Sequence, residues 1–372
     1  MTLLKGVTLV QGGFAKVGGI ETFAADLLLA LRARKLQAQF VCWSGSGQNG
    51  NPTWRDLANS GVKISCSRLH HGCRWGWPDR AMVLHSWKRL AESEVLVFAK
   101  VLHPSAHRLI LPLGKRMILI TPYRPREMWT DRDPGVEMLN SFEAIIVQAC
   151  AFEDDLRKFG YGGRVFNLPY LPPEVQSSVG VPTGSQLQVG YLGRLVEDKN
   201  LKYLIVSFSK LRAMGVDAHL HIFGDGPERN AIQLLGNEMN IAAHIQFHGS
   251  QGRPAIPAAI DSCHVFAFSS TTEGQCLSAL EILARGRRVL GTPVGAFPEF
   301  LSGLLGSIAP LDDPTAFAVA LKAIAKPVLE GRITPADVQQ AYRSRFPRTQ
   351  VIDGYLRAFG CSDLNGQEKR AI

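Results

Sequence analysis

The sequence predicts an α/β protein of two doubly wound domains facing a cleft, and three observations carry that expectation. Its 372 residues exceed what a single core of ordinary size organises. Short apolar segments alternate with glycine-rich turns and amphipathic segments, and this rhythm runs twice along the chain. Between the two runs, residues 169–185 carry prolines at 169, 172, 173 and 182 among small polar residues, the composition of a linker.

In the first half, Leu3 to Val10 predicts a strand and Gln11 to Gly19 a glycine-rich loop. Glu21 to Arg34 predicts a helix on which Phe23, Leu27, Ala30 and Leu31 share one face. Further strands are expected over Gln39 to Trp43, Val95 to Ala99, Arg116 to Ile120 and Ala144 to Gln148. The second half is more regular. Strands at Gln188 to Leu192, Ala218 to Phe223, Ile245 to His248, Val265 to Ser269 and Arg288 to Leu290 alternate with helices near Asn200 to Met214, Glu228 to Met239, Pro254 to Asp261, Leu277 to Arg285 and Pro314 to Ala325. Apolar strands alternating with helices imply parallel sheets covered on both faces. Ligands of such sheets bind beyond the carboxyl ends of the strands, so the expected chemistry lies in the cleft.

Composition removes several classes. A chain 46% hydrophobic and 20% charged is neither collagen-like, coiled-coil nor wholly disordered. The most apolar stretch, Arg108 to Ile120, is broken by Pro112, Gly114, Lys115 and Arg116, so no membrane span is expected. The amino terminus lacks the basic region, long apolar core and cleavage site of a secretory signal. Seven cysteines are scattered with no metal-ligand spacing, which reads as reduced thiols in a cytosolic compartment and no bound metal.

The formal charge of +9 is concentrated. Arg68 to Arg126 holds eleven Lys or Arg against three acids, together with Trp75, Trp77, Trp87 and five of the ten histidines. Cations interleaved with indoles suit an anionic bilayer surface. An ordinary solvated surface is the alternative, and no nucleic-acid motif accompanies the charge, so no nucleic-acid partner is expected.

The glycine loop fits neither G-x-G-x-x-G nor the P-loop, because Gly19 stands where the P-loop needs Lys. What remains is Gly18-Gly19 opening a helix, where free amides suit a phosphate or simply make a turn. In the second half, Gly193 to Asn200 (GRLVEDKN) follows a strand and precedes a helix, which sets Arg194 and Lys199 where they can neutralise a diphosphate. Asp198 could cap the next helix. Further on, Ser269 to Glu281 carries Glu273 and Glu281 on either side of a helix start. The spacing does not suggest a glycosidase pair. Glu273 can instead accept from sugar hydroxyls, the amides of Gln275, Cys276 and Leu277 can hold a phosphate, and Glu281 can accept from a ribose. Cys276 either has a lowered pKa at the helix start or fills a small-residue position.

The succession G-G-x-E (Gly18 to Glu21), G-R-L-V-x-x-K-N (Gly193 to Asn200), F-G-D-G-P (Phe223 to Pro227), F-H-G (Phe247 to Gly249), E-x7-E (Glu273 to Glu281) and T-P-V-G-x-x-P-E (Thr292 to Glu299) resembles glycosyltransferase family four. The likeness is strongest from Gln188 to about Ala325. It implies the GT-B architecture of two Rossmann-like domains and retaining transfer from a UDP- or GDP-sugar, without a metal or other cofactor. Carried over, Arg194 and Lys199 hold the diphosphate, Glu273 the sugar, Glu281 the ribose, and Phe247, His248 and Gly249 the base. Gly18 and Gly19 approach the phosphates from the other domain. The family's first-domain His is missing: Met117 to Ile120 runs into Thr121-Pro122-Tyr123-Arg124. His103, His107, Tyr123 and Arg124 are the candidates to replace it.

The resulting expectation is an acceptor domain at 1–172, a nucleotide-sugar domain at 173–345, a helix at 346–360 returning to the first domain through Tyr355, Leu356 and Phe359, and a polar tail at 361–372. The expected activity is hexosyl transfer to a glycan or lipid-linked acceptor in cell-surface polysaccharide or lipopolysaccharide synthesis. The expected location is cytoplasmic, peripheral on the inner face of the membrane. Two alternatives stay open: a GT-B-like sugar-nucleotide epimerase, and a non-catalytic sugar-nucleotide or glycan-binding subunit.

Overall fold

A computed structural model describes residues 6–11, 19–44, 57, 59–68, 77–99, 101–121, 124–125, 135–175 and 180–361. The chain divides into two units, Met1–Leu171 with Thr349–Ile372, and Pro172–Arg348.

The first unit is built on β1 (Val7–Gln11), β2 (Ala38–Ser44), β3 (Lys63–Arg68), β4 (Val95–Phe98), β5 (Arg116–Ile120), β6 (Ala144–Val147) and β7 (Arg164–Asn167). They form one sheet in the order β3-β2-β1-β4-β5-β6-β7. Every pairing is parallel. Its helices among the described residues are α1 (Gly19–Ala33), α2 (Trp77–His85), α3 (Trp87–Glu92), α4 (Pro104–Ile110), α5 (Val136–Asn140) and α6 (Cys150–Lys158). Parallel central strands are covered on both faces, and β1, β4 and β6 are buried along their whole length. Helix α1 lays Phe23, Leu27, Leu28 and Leu31 into this core, with Glu21 in its first turn and Arg32 in its last, each charge matched to the helix dipole.

The second unit follows the same logic. Strands β8 (Leu187–Leu192), β9 (Ala218–Phe223), β10 (Ile245–Gly249), β11 (Val265–Ala267), β12 (Arg288–Gly291) and β13 (Gly306–Ile308) form a sheet in the order β10-β9-β8-β11-β12-β13. This sheet too is parallel throughout. Between and after the strands run α7 (Leu201–Ala213), α8 (Arg229–Glu238), α9 (Ile256–Asp261), α10 (Leu277–Ala284), α11 (Phe297–Phe300), α12 (Pro314–Leu329) and α13 (Pro335–Arg345). Arg288 is buried in β12, and its guanidinium donates to the carbonyls of Gly303, Leu304 and Ile324, so the charge is not left without acceptors. Starts are capped where the sequence allows: Asp313 accepts from Thr315 N and Ala316 N, and Thr334 with Asp337 makes a capping box.

The last helix, α14 (Arg348–Ala358), lies mostly within the first unit's terminal segment. Its Tyr355 ring meets Phe23 at 5.8 Å, its hydroxyl donates to Pro169 O at 3.0 Å, and Asp353 pairs with Arg34 at 2.9 Å. Residues 1–5, the glycine-rich segment 12–18 with Gly18, Trp75, Tyr123 and residues 362–372 lie outside the described residues.

Three strands are absent from the sequence expectation, and all three stand at or beside a sheet edge. β3 buries Ser65, whose hydroxyl bonds Ser86 at 2.9 Å, rather than an apolar residue, so its inward positions carry no hydrophobic alternation. β7 is exposed at both ends. β13 is three residues long and begins at a glycine.

Candidate active site

The carboxyl edge of the second unit's sheet is tied together mainly by backbone. After β8, Gly193 N donates to Phe223 O at 3.0 Å, and Gly224, at φ +155°, lies so close that a Cβ there would run into the Gly193 carbonyl oxygen. Leu195 N then donates to Asp225 O at 3.0 Å and Glu228 N to Leu195 O at 3.1 Å, so the loops after β8 and β9 are laced side by side. Only glycine can take position 224, which explains the F-G-D-G-P segment physically.

The same loop is stitched to the segment after β11. Ser269 Oγ donates to the carbonyls of Lys199 (3.0 Å) and Asn200 (2.9 Å), and Thr271 N donates to Asp198 O at 2.9 Å. On the far side, Thr292 Oγ1 donates to Ser270 O at 2.7 Å and Ala296 N to Gly274 O at 2.8 Å. Gly295 sits at φ +55° with Glu273 O and Gly274 O where a side chain would begin. The T-P-V-G motif therefore braces the Glu273 loop.

This lacing brings together two side chains 74 residues apart. Lys199 Nζ donates to Glu273 Oε1 at 2.8 Å, and Ser270 Oγ donates to the same oxygen at 2.8 Å. Asp198 lies 3.4 Å from the same ammonium. The Lys199 and Glu273 side chains are only 13% and 7% exposed, so solvent screens the pair weakly. Burial pulls the Lys199 pKa down, but the negative field of Glu273 and Asp198 and the hydrogen bond outweigh it and hold the ammonium above the ordinary lysine value.

Immediately beyond, Cys276 takes φ +60° and ψ 84° at the N-cap of α10 and makes no side-chain capping bond. The first amides of a helix have no acceptor within it, so those of Leu277 and Ser278 and the positive end of the helix dipole face outward beside the ion pair. The Cys276 thiol is pushed well up by burial and by the Glu273 carboxylate, which corrects the expectation of a lowered pKa: desolvation defeats the helix end. Gln275 is buried, and Glu281 is half-buried within α10. Arg194 is exposed and makes no ion pair among the described residues; its carbonyl accepts from the Tyr191 hydroxyl at 2.8 Å.

The F-H-G segment divides between two faces of β10. His248 stacks on Phe223 with centroids 4.4 Å apart and shares a 3.0 Å hydrogen bond with His221. Phe247 lines a groove with Leu234, Asn237 and Ala242 and lies under the Arg229 guanidinium at 5.4 Å. Gly249, at φ +72°, ends the strand.

In the first unit the candidates for the missing His are scattered. His107 is a core residue: it is 2% exposed, bonded through Nε2 to Ser141 Oγ at 2.7 Å, set between Phe98 and Phe142, and held neutral by burial with its pKa pushed down to about 4. His103 is a helix cap, its Nδ1 accepting from Ser105 N. Arg124 grips the buried Asp155 with Nε at 2.7 Å and a second nitrogen at 3.3 Å. Gly19 opens α1. Ser270, Ser269 and Thr292 are the residues that reading the sequence missed. Their only signal was small hydroxyl residues at the carboxyl ends of apolar strands, a pattern that loops share everywhere. Among the described residues no group of three or more His, Cys, Asp or Glu is placed to hold a metal ion.

Comparison with known proteins bears on this arrangement. Residues 186–326 match the family model described as glycosyl transferases group 1. The chain is similar to the lipopolysaccharide 1,6-galactosyltransferase of Escherichia coli K12, at 22% identity over 88% of this chain and 92% of the other. It is also similar to the lipopolysaccharide core biosynthesis glycosyltransferase LpsE of Rhizobium meliloti, at 25% identity over 92% and 96%. Among solved structures, Anabaena Alr3699/HepE in complex with UDP superposes with a TM-score of 0.74 over 96% of this chain and all of the other, at 14% identity. With two parallel α/β units and a group 1 match centred on the laced edge that carries Lys199 and Glu273, the chain is a glycosyltransferase of the GT-B fold.

Proposed function

We propose that the protein transfers a hexose, with retention of the anomeric configuration, from a UDP- or GDP-sugar to a glycan or lipid-linked acceptor of a cell-surface polysaccharide or lipopolysaccharide. The observation that carries this reading is the buried Lys199–Glu273 pair beside the uncapped start of α10. Cleavage of the anomeric bond leaves charge on the departing diphosphate. Lys199, Arg194 and the amides from Gln275 to Ser278 are the groups available to stabilise it, and no metal is assigned to the step. Glu273, already hydrogen-bonded through one oxygen, keeps the other to accept from sugar hydroxyls. Glu281 is assigned to the ribose, Phe247 to Gly249 to the base, and Gly18 and Gly19 to the phosphates. Front-face attack by the acceptor hydroxyl accounts for retention, since no nucleophile for a covalent intermediate is assigned. The lipopolysaccharide galactosyltransferase and core glycosyltransferase among the relatives support the acceptor class.

The first unit is assigned to the acceptor and to an anionic membrane surface. Leu84, Trp87 and Leu111 are exposed apolar residues on α2, on α3 and just after α4. Lys88 and Arg108 are exposed beside them in sequence. No helix among the described residues is long and apolar enough to cross a membrane. Arg116 is excluded from this surface because it is engaged with Glu143 and the Phe359 carbonyl.

A panel of UDP-, GDP- and ADP-sugars tests the donor assignment. One nucleotide class raises the melting temperature and is then hydrolysed slowly or transferred to a lipid-linked glycan. Stabilisation by none of them, or tight binding with neither hydrolysis nor transfer, overturns it, the latter in favour of a binding subunit. Conversion of the donor to an isomeric sugar nucleotide without any acceptor favours an epimerase. Reversal of Lys88, Arg108 and Lys115 to Glu lowers binding to anionic vesicles at low salt. Unchanged binding removes the membrane assignment.

A further inference from the structure

The first unit holds a pair of thiols that the transfer chemistry does not use. Cys42 on β2 and Cys66 on β3 are direct Cα partners in the parallel register, and the Cys42 thiol donates to Cys66 Sγ at 3.4 Å. Partners in a parallel ladder point to the same face, so the contact follows from the register and not from a chance rotamer. Cys42 is fully buried and Cys66 half-buried. β3 is the outermost strand of its sheet, so Cys66 has one strand neighbour where Cys42 has two.

We propose that Cys42 and Cys66 form a peroxide-responsive dithiol that closes to a disulfide between the two outer strands. Neighbouring strands lie about 4.8 Å apart, inside the Cα separation of about 4.4–6.8 Å that a disulfide requires. The sulfurs, 3.4 Å apart, close to bonding distance by a short local adjustment of the two side chains and strands. The more accessible Cys66 thiolate attacks hydrogen peroxide, gaining one oxygen as a sulfenic acid and releasing hydroxide. The Cys42 sulfur then displaces that oxygen as water and gives up its proton. In total two thiols and one peroxide give one disulfide and two waters, and a dithiol reductant reverses the change. Burial and the hydrogen bond to Cys66 raise the Cys42 pKa, so Cys42 stays a thiol and leaves the first attack on peroxide to Cys66. A soft-metal clip is the weaker reading, because two sulfurs have no third ligand among the described residues.

The experiment uses the full chain. It is treated with a small excess of hydrogen peroxide, blocked with iodoacetamide under denaturing conditions, digested and mapped by mass spectrometry without reduction. The expected result is one crosslinked peptide joining Cys42 to Cys66, with two of the seven thiols lost to alkylation and both recovered after dithiothreitol. The oxidised protein melts about 5 °C higher, because the closed ring restricts the unfolded chain. Cys66→Ser abolishes both the crosslink and the thermal shift. A single cooperative melt at the temperature of the reduced parent chain reports that this variant is folded. Seven alkylatable thiols after treatment, a crosslink through any other cysteine, or a sulfinic acid at Cys66 with no bridge each overturn the proposal.

Discussion

The carboxyl edges of the two sheets are built with different emphasis. In the second unit, the loops after β8, β9 and β11 are laced by main-chain bonds and by short hydroxyls reaching main-chain carbonyls. In the first, the described residues at the corresponding edge also make main-chain bonds, Ala99 N to Val10 O and Thr121 N to Ile146 O, but add tethers from long side chains. Arg124 reaches Asp155, Gln11 Nε2 reaches Glu21 at 3.3 Å, and the buried Gln148 amide has no hydrogen-bond partner among the described residues. Main-chain lacing tolerates few substitutions but fixes position tightly. Side-chain tethers can be exchanged one residue at a time. On the proposed function, an edge that holds a diphosphate of constant shape would suit the first strategy, and one that meets a particular glycan the second.

The strongest way to break this contrast is Gly224→Ala. A methyl group there meets the Gly193 carbonyl and the backbone cannot relax, so the second unit should lose about 3 kcal/mol or more in chemical denaturation. A loss below about 1 kcal/mol would mean the lacing is soft. Next in size is Lys199→Ala, which should lower kcat/KM by about a hundredfold or more and weaken nucleotide-diphosphate binding more than nucleoside binding. Equal losses for the two ligands would move Lys199 away from the phosphates. In the first unit, Arg124→Ala leaves the nearly buried Asp155 carboxylate unpaired and should cost about 2–3 kcal/mol, whereas Glu153→Ala, which removes only an exposed partner of Arg157, should cost under about 0.5 kcal/mol. If Arg124→Ala instead abolished transfer at unchanged stability, Arg124 would belong to the reacting site and not to the scaffold.

The smallest effect is a dependence on pH that the units share. Burial pushes the pKa of His107 in the first unit and of His221 in the second down to about 4 from an ordinary 6.5, with His248 and His219 adding to the shift at His221. The unfolded chain binds protons at these sites before the folded one does. Their stabilising contribution is therefore whole above about pH 6.5, declines as pH falls toward 4, and levels off below. His221→Gln should flatten the part of this slope that belongs to the second unit, and an unchanged slope would assign it elsewhere.

Much of the second unit is legible in the chain because buried parallel strands read as apolar runs bounded by glycine. β8, β9, β10 and β12 fall where that signal puts them. The edges are not legible, since β3 turns Ser65 inward and satisfies it with Ser86, an arrangement no periodicity reports. The same division runs through the site. GRLVEDKN and the Glu273 segment can be assigned to strand ends from local pattern. That Lys199 and Glu273 share a hydrogen bond across 74 residues depends on which strands are neighbours, and strand order is a property of the whole sheet. His107 misleads for the converse reason: its neighbours in sequence are ordinary helix residues, and only packing between Phe98 and Phe142 makes it a core residue.

The first unit is discontinuous, closed by residues from Thr349 onward, while the second is one unbroken stretch. During synthesis the amino-terminal sheet therefore lacks the Tyr355 ring that meets Phe23 until the ribosome has passed the whole of the second unit. A nascent chain halted at Leu171 should be readily cleaved by proteases around Phe23. One halted after Arg348 should already shelter its carboxyl half.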